Sequence, residues 1–193
     1  MGPHPRRRTL VVERDGWTMP KKILVTLDGS PYSEVVLFAV AELAAETGAV
    51  VTLYRVGELP SATPETAVEV QPPVLPRMGA LYTPVRTPPR YVETRTQAIE
   101  RREHELAEYL EEKAKVLRDR GIEVQVAVAL GEDAGQLIID YARDNPMDLI
   151  AMATHGHSGL RSLIFGSVAG KVLASGVRPV LLVRPRELGH HSE

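Results

Sequence analysis

The residues best suited to chemistry in this 193-residue chain gather in one stretch, MATHGHSGLRSLIFGS, residues 152–167. Gly156, Gly159, Gly166 and Ser167 stand there between an apolar run and a segment of helical pattern. Glycines let backbone amides approach an anion closely, and a helix N-terminus offers unpaired N–H groups with a partial positive charge. The Ser167 hydroxyl would add a further donor. Phosphate binding is the chemistry this arrangement predicts. The same residues also suit an ordinary turn and a helix that Ser167 caps. Asp28, at the end of an earlier apolar run, could accept hydrogen bonds from ribose hydroxyls.

Other motifs carry less. GSVAGKV, 166–172, resembles a Walker loop, but it has one residue too few between its glycines. Val172 also stands where a Ser or Thr must hold magnesium. Lys171 therefore reads as a solvated helix residue. THGH, 154–157, has Thr154 where a His-x-Gly-His nucleotidyl-transfer signature needs its first histidine. His155 and His157 lack a third ligand nearby in sequence, and two ligands do not make a tetrahedral metal site. His190 and His191 fall in a polar tail, and no spacing supports a Ser-His-Asp triad.

Several segments must position these residues. KKILVTL, 21–27, is apolar on both faces, as in a buried parallel strand, and ends at Asp28-Gly29-Ser30-Pro31. Ser30 followed by Pro31 is a helix start, and Val36, Ala39, Val40 and Leu43 give that helix one apolar face before Gly48. AVVTLYRV, 49–56, is a second strand. Residues 57–93 hold eight prolines without sustained periodicity and read as a long loop or insertion. A charged helix follows over about 94–120, with Ile99, Leu106, Leu110 and Leu117 on one side and Gly121 at its end. IEVQVAVA, 122–129, is a third strand, and Asp133 with Gln136 has the spacing of a capping box. DLIAMA, 148–153, and PVLLVR, 179–184, are strands four and five, separated by a helix that begins at Ser167.

Strand and helix alternate, which predicts an α/β fold: a parallel sheet with helices on both faces. Such sheets bind ligands beyond the carboxyl ends of their strands, where strand order reverses. Asp28 and the 153–167 loop both fall at strand ends. Length and pattern suggest a single domain over 21–185, a tail at 1–20 and a second tail at 186–193. The net charge of −2 gives no electrostatic reason to expect nucleic acid. No apolar run approaches the roughly 20 residues of a membrane span. The absence of cysteine suits a reducing cytoplasm, the expected location.

KKILVTLDGSPYSE, followed at a distance by DLIAMATHGHSGLRSLIFGSVAGKVL and RPVLLV, resembles the universal stress protein family over residues 20–56 and 94–185. The resemblance implies a five-stranded parallel sheet of order 3-2-1-4-5, of the adenine nucleotide alpha hydrolase-like type. It implies ATP as ligand, with or without Mg2+, held by a signature of Gly, two residues, Gly, nine residues, then Gly-Ser/Thr. Gly156, Gly166 and Ser167 match its later elements, and Ala153 replaces its first glycine. By position, Asp28 would meet the ribose, the Val56 backbone would read adenine, and Met152 would flank base or sugar. Gly156, Gly166, Ser167 and Val168 would hold phosphates. Thr26 stands where the family usually has proline, and Gly170 where glutamate is common.

The resemblance thus points to a nucleotide-dependent regulatory or stress-response role, with ATP as ligand rather than substrate and no enzymatic activity. A slow ATPase would need a general base, for which His155 is the local candidate. An interaction module without nucleotide would follow if Ala153 disables the site. An exposed apolar edge strand invites pairing, and the resemblance implies a homodimer through the fifth strand, at Val180, Leu181, Leu182 and Val183.

Overall fold

The computed structural model describes residues 19–60, 94–154 and 165–184. Five parallel strands form one sheet of order β3-β2-β1-β4-β5. They are β1 (Lys22–Thr26), β2 (Val50–Gly57), β3 (Val124–Leu130), β4 (Leu149–Ala153) and β5 (Val180–Val183). The helices are α1 (Pro31–Glu34), α2 (Val36–Thr47), α3 (Arg95–Arg118), α4 (Ala134–Asp144) and α5 (Ser167–Ser175). At the centre, Val25 lies in register between Leu53 of β2 and Ala151 of β4.

Alternation along each strand divides the core in two. Ile23, Val25, Val51, Leu53 and Ala151 pack with Val36 and Val40 of α2 and with Leu110 and Leu117 of α3. Leu24, Tyr54, Ile150 and Met152 pack on the other face with Ile138 and Ile139 of α4 and Val172 of α5. A strand buried on both faces has no polar side, which is why 21–27 carries an unbroken apolar run. β1 continues into β2 on one side and lies beside β4 on the other, so the crevice between the carboxyl ends of β1 and β4 is the switch point of the fold.

Most of the expected elements form, with shifts at their ends. β1 stops at Thr26, because Leu27 N–H already bonds Tyr54 O outside the regular ladder, at 3.0 Å. Gly57, read as the first insertion residue, is the last residue of β2 and pairs with Leu130. β3 begins at Val124 rather than Ile122, which is buried in the turn before it. α3 opens with a full capping box between Thr94 and Gln97. The box expected at α4 is half formed: Asp133 accepts from Gln136 N–H at 3.0 Å, but the Gln136 amide donates to Asp140 instead, at 2.9 Å. Residues 1–18 of the tail expected at 1–20, residues 61–93 and residues 185–193 lie outside the described residues. No helix among the described residues is long and apolar enough to cross a membrane.

Candidate functional site

A cavity of about 280 Å³ opens at the carboxyl ends of β1, β2 and β4. Its first wall is the turn after β1. The Asp28 Oδ1 accepts from Ser30 N–H at 2.8 Å and from the Ser30 hydroxyl at 2.6 Å, folding the turn onto its own carboxylate. Ser30 caps α1 by accepting from Ser33 N–H at 3.2 Å, and Pro31 fills the first helical position. Ser33 closes the circuit, accepting from Asp28 N–H at 3.3 Å and donating to Ser30 O at 2.8 Å. Gly29 takes the left-handed φ of 87° that this reversal requires.

The second wall is the junction of β4 and α5. Thr154 N–H bonds Val183 O at 3.0 Å, and Gly166 N–H bonds Thr154 O at 2.8 Å, so the chain returns to β4 just before α5 starts. Gly166 is the N-cap, with φ −63° and ψ 163°, and no side chain caps the helix. Ser167, expected to offer a cap or a donor, is the first helical residue and is exposed. Among the described residues no acceptor meets the N–H groups of Ser167, Val168 and Ala169. All three residues line the cavity, and the helix N-terminus they form makes this wall electropositive.

β2 supplies the third wall. Backbone groups alternate sides along a strand. Tyr54 O accepts from Leu27 on the β1 side, while Gly57 O accepts from Gly131 N–H on the β3 side, at 2.9 Å. Val56 therefore turns its N–H and C=O toward the side that β1 has already left. No backbone partner among the described residues takes either group. A donor and an acceptor on one residue, at the edge of an apolar pocket, can read the edge of a heteroaromatic base.

Thr26, Asp28, Val56, Met152, Ala153, Gly166, Ser167 and Val168 all line this one cavity. Gly156, with His155, His157 and Gly159, lies outside the described residues. Ala153 ends β4 in register with Val183, an extended position that any L-residue adopts, so its methyl brings no backbone strain. Lys171, read as a solvated helix residue, is exposed on α5, where it meets Asp133 Oδ2 at 2.5 Å and holds that carboxyl below its ordinary range. Sequence reasoning missed Ser33, Tyr54, Ala134 and Ile138 as lining residues. Tyr54 shares the face of Val56 by strand alternation, which would have exposed it. Ala134 and Ile138 come from α4, which only the packing brings over the sheet. Tyr54 stacks on Tyr141 with ring centroids 4.5 Å apart. Burial, then Tyr141 and Asp140, push its hydroxyl up to about 12, so it stays neutral beside the site. No group of three or more metal-ligating side chains occurs among the described residues.

The sequence profile of the universal stress protein family matches residues 19–184. This chain belongs to that family. It is 28% identical over 166 residues to universal stress protein YxiE of Bacillus subtilis (strain 168), covering 86% of this chain and 100% of YxiE. The solved structure of MJ0577 from Methanocaldococcus jannaschii superposes with a TM-score of 0.56 at 25% identity, covering 88% of this chain and 99% of that one. The structure of the universal stress protein from Archaeoglobus fulgidus in complex with dAMP gives a TM-score of 0.51 at 19% identity, covering 86% and 98%. The last likeness is one of fold. The family and the sheet order agree with the resemblance read from the sequence.

Proposed function

We propose that this chain binds an adenine nucleotide at the β1–β4 crevice, with ATP as the bound form, and acts as a nucleotide-dependent regulatory protein in the stress response. The observation that carries the reading is the uncapped N-terminus of α5 opening into the cavity that also contains Asp28 and the Val56 backbone. The amides of Ser167, Val168 and Ala169 are donors for phosphate oxygens, Asp28 is an acceptor for ribose hydroxyls, and Val56 offers the base a donor and an acceptor. Support also comes from the Archaeoglobus fulgidus relative, which is described in complex with dAMP. Mg2+ would enter with the phosphates rather than through a protein site.

ATP serves as ligand, not substrate. The described groups on the cavity wall bind and orient, and Asp28, the acidic side chain among them, already holds Ser30 at two points. Two copies pair through β5, whose Val180, Leu181, Leu182 and Val183 are all half-buried at the outer edge of the sheet.

Isothermal titration of ATP with magnesium into the purified chain tests the reading; saturable binding is expected, and none at millimolar ATP would reject it. Combined Gly166→Val and Ser167→Ala should abolish the binding while leaving the fold. Gly166 has an extended backbone, and among the described residues a Cβ there would meet only Thr154 O, at 3.4 Å.

A further inference from the structure

The face of the sheet opposite α4 and α5 carries a polar cluster that nucleotide binding does not explain. Arg55, on β2 next to Val56, extends toward α3, where its guanidinium lies over the Tyr109 ring, 4.6 Å from the centroid. One of its terminal nitrogens donates to Asp28 O at 3.3 Å. The guanidinium also occupies the space above Gly29, where an added Cβ would stand 2.6 Å from Arg55 Cζ. Tyr109 in turn donates to Glu34 Oε1 at 2.9 Å, and Lys113 Nζ pairs with the same oxygen at 3.0 Å. Tyr109 is thus fixed at its ring by Arg55 and at its hydroxyl by α1.

We infer that Arg55, held between Tyr109 and the Gly29 backbone, is a positioning residue that sets the Asp28 turn for recognition of the ribose. It touches no nucleotide. The chemistry favours arginine: its rigid planar fork of five donors can lie over a ring and still present an N–H to the Asp28 carbonyl, whereas an ammonium is a compact point charge without that fixed fork. Gly29 is part of the same device, since the left-handed φ of 87° and the missing Cβ together let the guanidinium lie against the turn. The Asp28 carboxylate is aimed by Ser30 from one side, and its main chain is held by Arg55 from the other. Loss of the clamp frees the main chain, so the carboxylate keeps its charge but loses its aim.

This inference rests on the nucleotide reading above, and one experiment separates the two. ATP and 2′,3′-dideoxy-ATP are titrated into the wild-type chain and into Arg55→Lys and Tyr109→Leu, with circular dichroism melts confirming the fold. A charged acceptor on the ribose hydroxyls predicts a wild-type preference for ATP of about tenfold. In both variants that preference should fall to about twofold or less. Failure of the wild-type chain to bind either nucleotide rejects both readings. Binding of both with equal affinity in the wild type leaves nucleotide binding standing and overturns the ribose role that Arg55 is said to support. A tenfold preference retained in Arg55→Lys overturns the clamp, because charge alone would then suffice. A merely structural defect lowers both affinities together and keeps their ratio, which also overturns it. If one variant does not fold, the ratio in the other decides.

Discussion

The two walls of the crevice treat their polar groups in opposite ways. In the turn after β1, Asp28, Ser30 and Ser33 bond one another, Pro31 removes a donor, and α1 begins with its first turn capped. At the start of α5, Gly166 offers no side chain, and three amides meet no acceptor among the described residues. Both are strand-to-helix junctions at neighbouring strand ends. The first spends its hydrogen-bonding capacity on holding a shape. The second leaves its capacity unmet among the described residues. An uncapped helix start costs about 1 kcal/mol relative to a capped one, a loss that a bound anion can reverse.

The contrast can be broken from either side. The largest effect is expected from Ser167→Asp, which places a carboxylate where the phosphates would sit. Repulsion should weaken ATP binding about hundredfold or more, while the same charge at a helix N-terminus stabilises the fold by about 0.5 kcal/mol. Titration calorimetry beside urea denaturation reads both signs; loss of stability together with loss of binding would mean that Ser167 is structural. Gly29→Ala attacks the closed wall. The left-handed φ and the encounter with Arg55 should cost about 2 kcal/mol, read as a lower urea midpoint at unchanged slope.

Ser30→Ala removes the α1 cap and the hydroxyl that donates to Asp28, and should cost about 1 kcal/mol by the same measurement. Its effect on ATP affinity should be smaller than that of Ser167→Asp, because the phosphate wall stays intact. Ala153→Gly is the mildest. Glycine in a paired strand should lower stability by about 0.5 kcal/mol, and ATP affinity should change by less than about threefold, since residue 153 is already unstrained. A tenfold gain in affinity would show that the methyl, and not the backbone, had been limiting the site.

Some of this was readable along the chain. The capped start at Ser30-Pro31 is local, because both residues act on their own next turn. The glycine-rich approach to Ser167 was equally visible, and so was the succession of strands and helices, because burial on two faces demands unbroken apolar runs. Other features escaped. The half-formed box at Asp133 has the right spacing, yet Gln136 finds a better partner one turn on, in Asp140. Arg55 gives no local sign of its role, since its partners Asp28 and Tyr109 are 27 and 54 residues away.

What the sequence by itself determined is where helices begin, which faces are apolar, and which residues could serve an anion. These depend on neighbours within a turn or two, where the covalent chain already fixes the geometry. Only the tertiary structure decided that Val56 outlasts its neighbouring strand with its backbone groups turned into the gap, and that α4 roofs the pocket with Ala134 and Ile138. Those outcomes follow from burying two faces of one sheet at once, a condition on the whole chain that no short segment carries.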